Sequence, residues 1–214
     1  MTHLASLERQ ALCDTLVAVG PEAPTLCSPW TTADLAGHLV VRERRPDRSA
    51  GIWLPAMAGV TERAMKGYAA LPWPEPVELL RSGPPAWSPT RIARVDDLFN
   101  LLEFVIHHED VLRGDEQPGP RRELSARLDA AIWKSMSRLS RLTFRRCTVG
   151  VVLETPDGRS QLARAETDLG AVVLRGAPLE LLLTASGRRR VAAIEAVGSA
   201  EAIEALWSTP LGLS

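Results

Sequence analysis

The sequence of 214 residues lacks the features that mark several large classes of protein. No apolar run approaches the roughly 20 residues that cross a bilayer, so we expect no membrane-spanning helix. The first residues have no basic start followed by an apolar core, and we therefore expect no signal peptide. The net charge is −1, so no overall positive field favours nucleic acid. These absences predict a protein with neither a membrane nor a nucleic-acid partner.

Cysteine is scarce, and its pattern excludes further kinds of site. Cys13, Cys27 and Cys147 are scattered and odd in number, which argues against a disulfide framework and predicts a reducing, cytoplasmic location. No pair of cysteines has the spacing of a zinc motif, and no glycine-rich phosphate loop is present. A chain of this length holds one large or two small domains.

The hydrophobic pattern divides the chain near residue 147. Before that point, apolar residues at helical spacing predict long helices over 3–19, 32–45, 95–113 and 122–143, with shorter ones over 52–69 and 76–82. After it, β-rich stretches alternate with helices, with strands at 148–154, 160–166, 171–175 and 191–197 and helices at 178–186 and 199–207. Four long helices with short connections are typical of an up-down bundle. The sequence therefore predicts an α+β protein, with a four-helix bundle at 1–146 and a small α+β domain at 147–214.

Glu103 and His107 are four residues apart on the predicted helix 95–113, so they share one face. Their neighbours are apolar, which indicates that this face points into a core or a cleft. An isolated buried carboxylate costs several kcal/mol, so Glu103 must be paired, metal-bound or protonated. A carboxylate and an imidazole at this spacing can hold two positions of a divalent metal.

His38 lies on the predicted helix 32–45 and shares a face with apolar residues. A core histidine bonded to a carbonyl explains this position as well as a metal ligand does. Because bundles place metal ligands on facing helices, His38 can join Glu103 and His107 in a three-ligand set. Three protein ligands leave a position open for water or substrate, which is the catalytic rather than the structural pattern for zinc. The same ligands also suit nickel, cobalt or iron(II).

His108 and Asp34 receive weaker assignments. His108 points about 100° away from His107 on a helix, so we expect an outer-shell or helix-packing residue rather than a ligand. Asp34 lies one turn before His38 and either orients that imidazole or forms a capping box with Thr31.

Arg42 and Arg45 lie one and two turns beyond His38, on about the same face. One interpretation is that they hold a substrate carboxylate, because the guanidinium group binds carboxylates through two hydrogen bonds. The other is a run of surface salt bridges. Both interpretations remain open at this point.

Two stretches around these residues follow a known family pattern. Residues 30–39 read WTTADLAGHL, and residues 103–108 read EFVIHH. They resemble the DinB-like, metal-binding N-terminal domain of mycothiol-dependent maleylpyruvate isomerase relatives. In that family, a histidine in a Trp-x-x-x-Asp-Leu-x-x-His-Leu stretch and a Glu-x-x-x-His pair bind the metal. The resemblance therefore implies that His38, Glu103 and His107 bind a divalent metal. From the ligand types we expect zinc, with nickel as the alternative.

The rest of the chain resembles an actinobacterial subfamily of these proteins. The shared stretches are VVRERRPD at 40–47, RSGPP at 81–85 and HHEDV at 107–111. The C-terminal stretches 176–183 and 211–213 are similar to the small sterol-carrier-like domain that is often fused to the bundle. The resemblance thus extends over nearly the whole chain.

The resemblance implies an enzyme that uses the small thiol mycothiol. The thiol sulfur would occupy the open metal position, and its thiolate would act on a small electrophilic substrate. Hydrolysis by a metal-activated water is the variant without a thiol. A second hypothesis is a metal-containing binding protein without catalysis, whose α+β domain binds an apolar ligand or a protein partner. A third is that His38, Glu103 and His107 are buried polar residues without a metal.

Overall fold

The structure is a computed structural model that describes residues 3–49, 51, 54–115 and 121–212. Its contacts divide the chain into two units, Met1–Arg121 and Arg122–Ser214. Helices and a β-sheet are both present, which confirms the predicted α+β class. The division lies before the predicted boundary between residues 146 and 147. The reason is that the helix predicted to close the bundle packs against elements of the second unit.

In the part of the first unit that the structure describes, the regular elements are helices, joined by loops. Helix α1 packs against α5 and α7, and α2 packs against α4 and α5. Short 3₁₀ turns at Pro55–Met57 and Pro89–Arg91 join some of these elements. The helices are α1 (Leu4–Val19), α2 (Thr32–Arg44), α3 (Pro46–Ser49), α4 (Ala58–Ala69), α5 (Glu75–Arg81), α6 (Ala93–Phe99) and α7 (Leu101–Leu112).

Helix α2 begins at the capping box that Thr31 and Asp34 predict. The Thr31 hydroxyl accepts from the backbone N–H of Asp34, and the Asp34 carboxylate accepts from the backbone N–H of Thr31. Farther along, Gly37 lets α2 approach α4 closely, because a Cβ there would lie 2.6 Å from the backbone oxygen of Met65. The sequence therefore sets both the start of α2 and its close approach to α4.

The predicted helix 95–113 is two helices, α6 and α7, separated at Asn100. The Asn100 side chain donates to Asp96 Oδ1 at 2.8 Å and accepts from Arg42 Nη1 at 2.6 Å. At the break, the backbone of Asn100 departs from ideal helix geometry, with φ −116° and ψ −16°. Hydrophobic periodicity continues across the break and could not reveal it.

The second unit joins helices to one sheet with strand order β2-β1-β3-β4. Strand β1 pairs antiparallel with β2 and parallel with β3, and β3 pairs antiparallel with β4. Helix α8 packs against α9 and β2. The elements are α8 (Ala126–Thr143), β1 (Gly150–Glu154), β2 (Ser160–Arg164), β3 (Ala171–Arg175), α9 (Pro178–Ala185), β4 (Glu195–Val197) and α10 (Ala200–Ser208).

Most predicted elements of the second unit are confirmed. The hairpin of β1 and β2 turns at Gly158, which has φ +85°, and α10 begins after Ser199, whose side chain caps it. Strand β4 is shorter than the predicted 191–197, since it begins at Glu195, after a 3₁₀ turn at Arg189–Val191. Across the described ranges, no helix combines the length and apolar character needed to span a bilayer.

Candidate functional site

Three ligand-type side chains from α2 and α7 meet in the first unit. The Nε2 atoms of His38 and His107 lie 3.7 Å and 3.3 Å from Oε1 of Glu103. Each residue offers an atom within 4.8 Å of the other two, a spacing that could hold a metal ion. Both imidazoles are buried, whereas the Glu103 side chain is 26% exposed. The structure therefore brings together the three residues that the sequence predicts as metal ligands.

Helix geometry and aromatic contacts position these side chains. Glu103 and His107 are one turn apart on α7, so both project from the same face. The ring of His38 meets His107 edge-on, with ring centroids 5.2 Å apart. On α2's N-terminal side, the ring of Trp30 lies 5.1 Å from that of His38. The imidazole of His38 is thus held between two rings.

Burial and hydrogen bonding give the three groups different charge states. Burial opposes the ionised form of Glu103, but hydrogen bonds with His107 and His38 outweigh it and hold the pKa well below its ordinary value. Burial also opposes a charged His107, yet bonds with Asp110, Cys27 and Glu103 raise its pKa well above the usual range. Burial lowers the pKa of His38 despite its contact with Glu103. The cluster therefore holds an ionised carboxylate, a neutral His38 and a protonated His107, so a metal that binds His107 must displace a proton.

Arg42 lies against the cluster, and its side chain is less exposed than the side chains of a surface salt bridge. Its Nε is 3.2 Å from Glu103 Oε1, and its Nη1 donates to Asn100 Oδ1 at 2.6 Å. The sequence left a substrate carboxylate and a surface ion pair as alternatives for Arg42. In the structure this guanidinium group compensates the charge of Glu103 inside the unit.

A further buried network continues from Asn100. Asp96 accepts from Asn100 through Oδ1 and from Arg9 Nη2 through Oδ2, at 2.8 Å each. The same Arg9 nitrogen lies 2.7 Å from Glu43 Oε1. Burial, partly offset by Arg9, raises the pKa of Glu43 to about 7. Buried charges thus extend from the ligand cluster to the other end of α2.

Arg45 and Asp34 lie near the cluster but make other contacts. Arg45 is 37% exposed and binds Asp47 through two hydrogen bonds of 2.9 Å and 2.8 Å. Asp34 Oδ2 accepts from the backbone N–H and the hydroxyl of Thr31 at 3.0 Å and 3.1 Å. Arg45 therefore has the surface ion pair that the sequence left open, and Asp34 has the capping role.

His108 points to α1 and away from its neighbour His107. Its Nδ1 lies 2.9 Å from Glu8 Oε1, and its Nε2 lies 2.8 Å from Thr15 Oγ1. Both partners belong to α1. The structure thus places His108 in helix packing, one of the two roles expected for it.

Asp110 and Cys27 are neighbours of the cluster that sequence reasoning missed. Asp110 Oδ2 lies 2.9 Å from His107 Nδ1 and accepts from Cys27 Sγ at 3.1 Å. The spacing of His107 and Asp110, three residues on one helix, was the available signal. Cys27 offered none, because it comes from a loop 83 residues away in sequence.

A cavity of about 600 Å³ lies beside His38, between α2 and α4. Its wall is largely apolar, and an exposed ion pair of Glu62 and Lys66 with a 2.7 Å contact adds charge. Its lining residues are Pro29, Trp30, Asp34, His38, Gly51, Ala58, Thr61, Glu62, Met65 and Lys66. A small molecule in this cavity would reach the edge of the ligand cluster.

Comparison with known proteins yields one informative likeness. No protein-family model and no curated protein sequence matches the chain. A solved structure described as the crystal structure of the mycothiol-dependent maleylpyruvate isomerase aligns with a TM-score of 0.55 and 15% sequence identity. The alignment covers 90% of this chain and 90% of that chain. At this identity the likeness concerns the fold, so this chain is similar in fold to a mycothiol-dependent maleylpyruvate isomerase.

Proposed function

We propose that this chain is a metal-dependent enzyme that uses a small thiol against a small electrophilic substrate, with His38, Glu103 and His107 as metal ligands. The observation that carries the proposal is their convergence within 4.8 Å beside a cavity of about 600 Å³. Two imidazoles and a carboxylate suit zinc, and they also suit nickel, cobalt or iron(II). Three protein ligands leave a further position for a thiol or water.

When bound, a divalent ion would supply Lewis-acid chemistry, which lowers the pKa of a thiol or a water molecule. The surrounding residues would position the ligands and limit the access of water. Trp30 holds the ring of His38 in place. Arg42 compensates the negative charge of Glu103 and restricts its orientation. The burial of both imidazoles limits the access of bulk water.

The cavity suggests the size and character of the substrate. Its volume of about 600 Å³ suits a small organic molecule, and Trp30 and Met65 offer apolar surface for the body of that molecule. His38 lies on the same wall, so a reacting group could reach the metal position from this side.

The fold supports mycothiol as the thiol, because the structure of similar fold is described as a mycothiol-dependent isomerase. We extend the proposal to the architecture. Helices α1, α2, α4 and α7 would form the DinB-like four-helix bundle, with α8 outside it. The C-terminal unit would be the sterol-carrier-like domain, and the protein would act in a reducing cytoplasm.

Metal content tests this proposal most directly. We expect mass spectrometry of the purified, untagged protein to find about one zinc or nickel per chain, and a His38→Ala variant to lose it. A His108→Ala variant is the matched control, because it removes an equally buried imidazole that faces α1. Absence of metal in the wild type after reconstitution with zinc or nickel would refute the metal site.

Thiol dependence tests the reaction class. With the metal established, we expect turnover of small electrophiles only when mycothiol is added. Turnover without a thiol would instead indicate hydrolysis by a metal-activated water.

The apolar cavity wall also supports the second candidate, a metal-containing binding protein. Trp30, Ala58 and Met65 form a surface that could retain an apolar ligand without chemistry. Such a protein would keep its ligand after His38, Glu103 and His107 are all changed to Ala. An enzyme whose substrate binds at the metal would lose both binding and turnover.

A further inference from the structure

His107 has a second polar neighbourhood on the side of its ring opposite Glu103. Asp110 Oδ2 lies 2.9 Å from His107 Nδ1, and the Cys27 thiol donates to the same oxygen at 3.1 Å. The Asp110 side chain is 0% exposed. A carboxylate completely removed from water requires such donors, because an isolated buried charge is very costly.

Local structure explains how these residues meet. Asp110 follows His107 by three residues on α7, so helix geometry places the two side chains together. The loop that carries Cys27 is tied to α7 by a backbone hydrogen bond from Leu26 N to Asp110 O at 3.0 Å. Gly114 permits this contact, since a Cβ there would lie 2.2 Å from the backbone oxygen of Pro24.

The two carboxylates beside His107 compete for its ring protons, and Asp110 makes the shorter contact, 2.9 Å at Nδ1 against 3.3 Å for Glu103 at Nε2. Carboxylate oxygens accept hydrogen bonds, and Glu103 also has the Arg42 guanidinium group as a partner, so we expect a single ring proton to lie on Nδ1, toward Asp110. In a neutral imidazole the other nitrogen then has the lone pair. That nitrogen, Nε2, is the one that lies 3.3 Å from Glu103.

We propose that Asp110, supported by Cys27, is a positioning residue that holds His107 with Nδ1 protonated and Nε2 directed at the metal. This inference rests on the proposed metal site. Carboxylates that bind the remote nitrogen of a metal-bound histidine commonly orient the ring and increase its basicity. Cys27 would hold the Asp110 oxygen in place without touching the metal.

The competing arrangement uses the same atoms as direct ligands. Cys27, His107 and Asp110 also offer ligand atoms within 4.8 Å of one another. We favour the positioning role because the Cys27 sulfur donates as a thiol to the Asp110 oxygen, and because the other set includes His38 on the cavity wall. The two arrangements use opposite nitrogens of the His107 ring, which makes them separable.

Metal affinity is the first test. We expect Asp110→Asn to weaken zinc binding by about 10- to 100-fold in competition with a chromophoric chelator, the range found when such partners are removed. The matched control is Glu109→Gln on the same helix, where the carboxylate is equally buried but pairs with Arg113 at 2.6 Å. An equal loss in both variants, or no loss in Asp110→Asn, would overturn the proposal.

The cobalt spectrum tests the role of Cys27. We expect the cobalt(II) protein to show no thiolate-to-cobalt charge-transfer band, and Cys27→Ser to leave the spectrum unchanged. A charge-transfer band that disappears in Cys27→Ser would make Cys27 a direct ligand and overturn the positioning role.

Nitrogen-15 NMR of the His107 ring separates this inference from the proposed function. At alkaline pH, where the metal-free ring is neutral, we expect the wild type to carry its proton on Nδ1 and Asp110→Leu to carry it mainly on Nε2. A wild-type ring protonated on Nε2 would refute the inference even if zinc binds. Failure to bind zinc would refute the metal site, while the ring readout would still decide the role of Asp110.

Discussion

The two units of the chain differ sharply in what their interiors contain. The second unit buries apolar side chains around α9 and its sheet, and Glu180 is its one buried charged residue in the described range 122–212. The first unit buries many ionisable groups among its apolar residues, namely Glu8, Arg9, His38, Glu43, Asp96, His107, His108, Glu109, Asp110 and Arg113.

This difference indicates that the candidate functional site belongs to the first unit. Burying a charge is costly unless it is paired and hydrogen-bonded, so a packed fold alone has little reason to contain so many. In the first unit some of these groups meet at Glu103 and His107, which contact His38 and Asp110. Others form separate pairs, such as Glu109 with Arg113. The interior of the second unit is mainly apolar, as expected where side chains serve only to pack the fold.

Replacement of His107 in the first unit should have the largest effect on metal binding. We expect His107→Ala to weaken zinc binding by more than about 100-fold, beyond the effect of losing an outer partner, because a direct ligand is lost. Chelator competition measures the affinity. Metal content at the wild-type level in this variant would contradict the assignment of the site.

A cavity created by mutation in the second unit should lower the stability of the protein without affecting metal binding. Leu174 on β3 is fully buried, so we expect Leu174→Ala to lower the free energy of unfolding by about 2–5 kcal/mol and leave zinc affinity unchanged. Urea unfolding followed by circular dichroism measures the loss. Weaker zinc binding by the folded variant would show that the two interiors are energetically coupled.

The buried carboxyl group of Glu43 in the first unit should make the free energy of unfolding depend on pH. Its pKa is raised from 4.5 to about 7 in the folded protein, which therefore binds this proton more tightly than the unfolded chain does. As pH rises from 4.5 to about 7, the wild type should lose up to about 3 kcal/mol of stability relative to Glu43→Gln. Unfolding in urea at pH 5 and pH 8 tests this expectation, and parallel pH profiles would contradict it.

Metal binding should itself depend on pH. Hydrogen bonds to Asp110, Cys27 and Glu103 outweigh burial and raise the pKa of His107, so a proton competes with the metal for this ring. We expect zinc affinity to increase by roughly tenfold per pH unit below that pKa and to level off above it. Calorimetry in buffers of different ionisation enthalpy would detect the released proton. Affinity independent of pH would mean that His107 binds no metal.

The smallest effect is expected at the surface. Arg45 pairs with Asp47 in water, so Arg45→Ala should leave both zinc affinity and thermal stability unchanged. Arg42→Ala removes a cation that contacts Oε1 of Glu103, the oxygen nearest both imidazoles, so it should strengthen zinc binding. Equal effects of the two variants on zinc affinity would contradict the different roles of Arg42 at the cluster and Arg45 in its surface ion pair.

Several parts of the fold could be predicted because they depend on neighbours in sequence. The capping box of Thr31 and Asp34 follows from two residues three apart, and the shared face of Glu103 and His107 follows from helical spacing. The break at Asn100 could not be predicted, because the hydrophobic periodicity continues across it and the Arg42 partner of Asn100 is 58 residues away. The place of α8 likewise depends on which elements its apolar side meets.

The sequence by itself determined most of the helices, the capping box of α2 and the spacing of two metal-ligand candidates, because backbone hydrogen bonding and side-chain periodicity act over a few residues. Only the tertiary structure decided that His38 faces Glu103, that Asp110 and Cys27 lie behind His107, and that α8 belongs to the second unit. These arrangements require segments distant in sequence to approach within hydrogen-bond or packing distance. No local pattern encodes that approach, since it follows from how all the apolar surfaces are buried together.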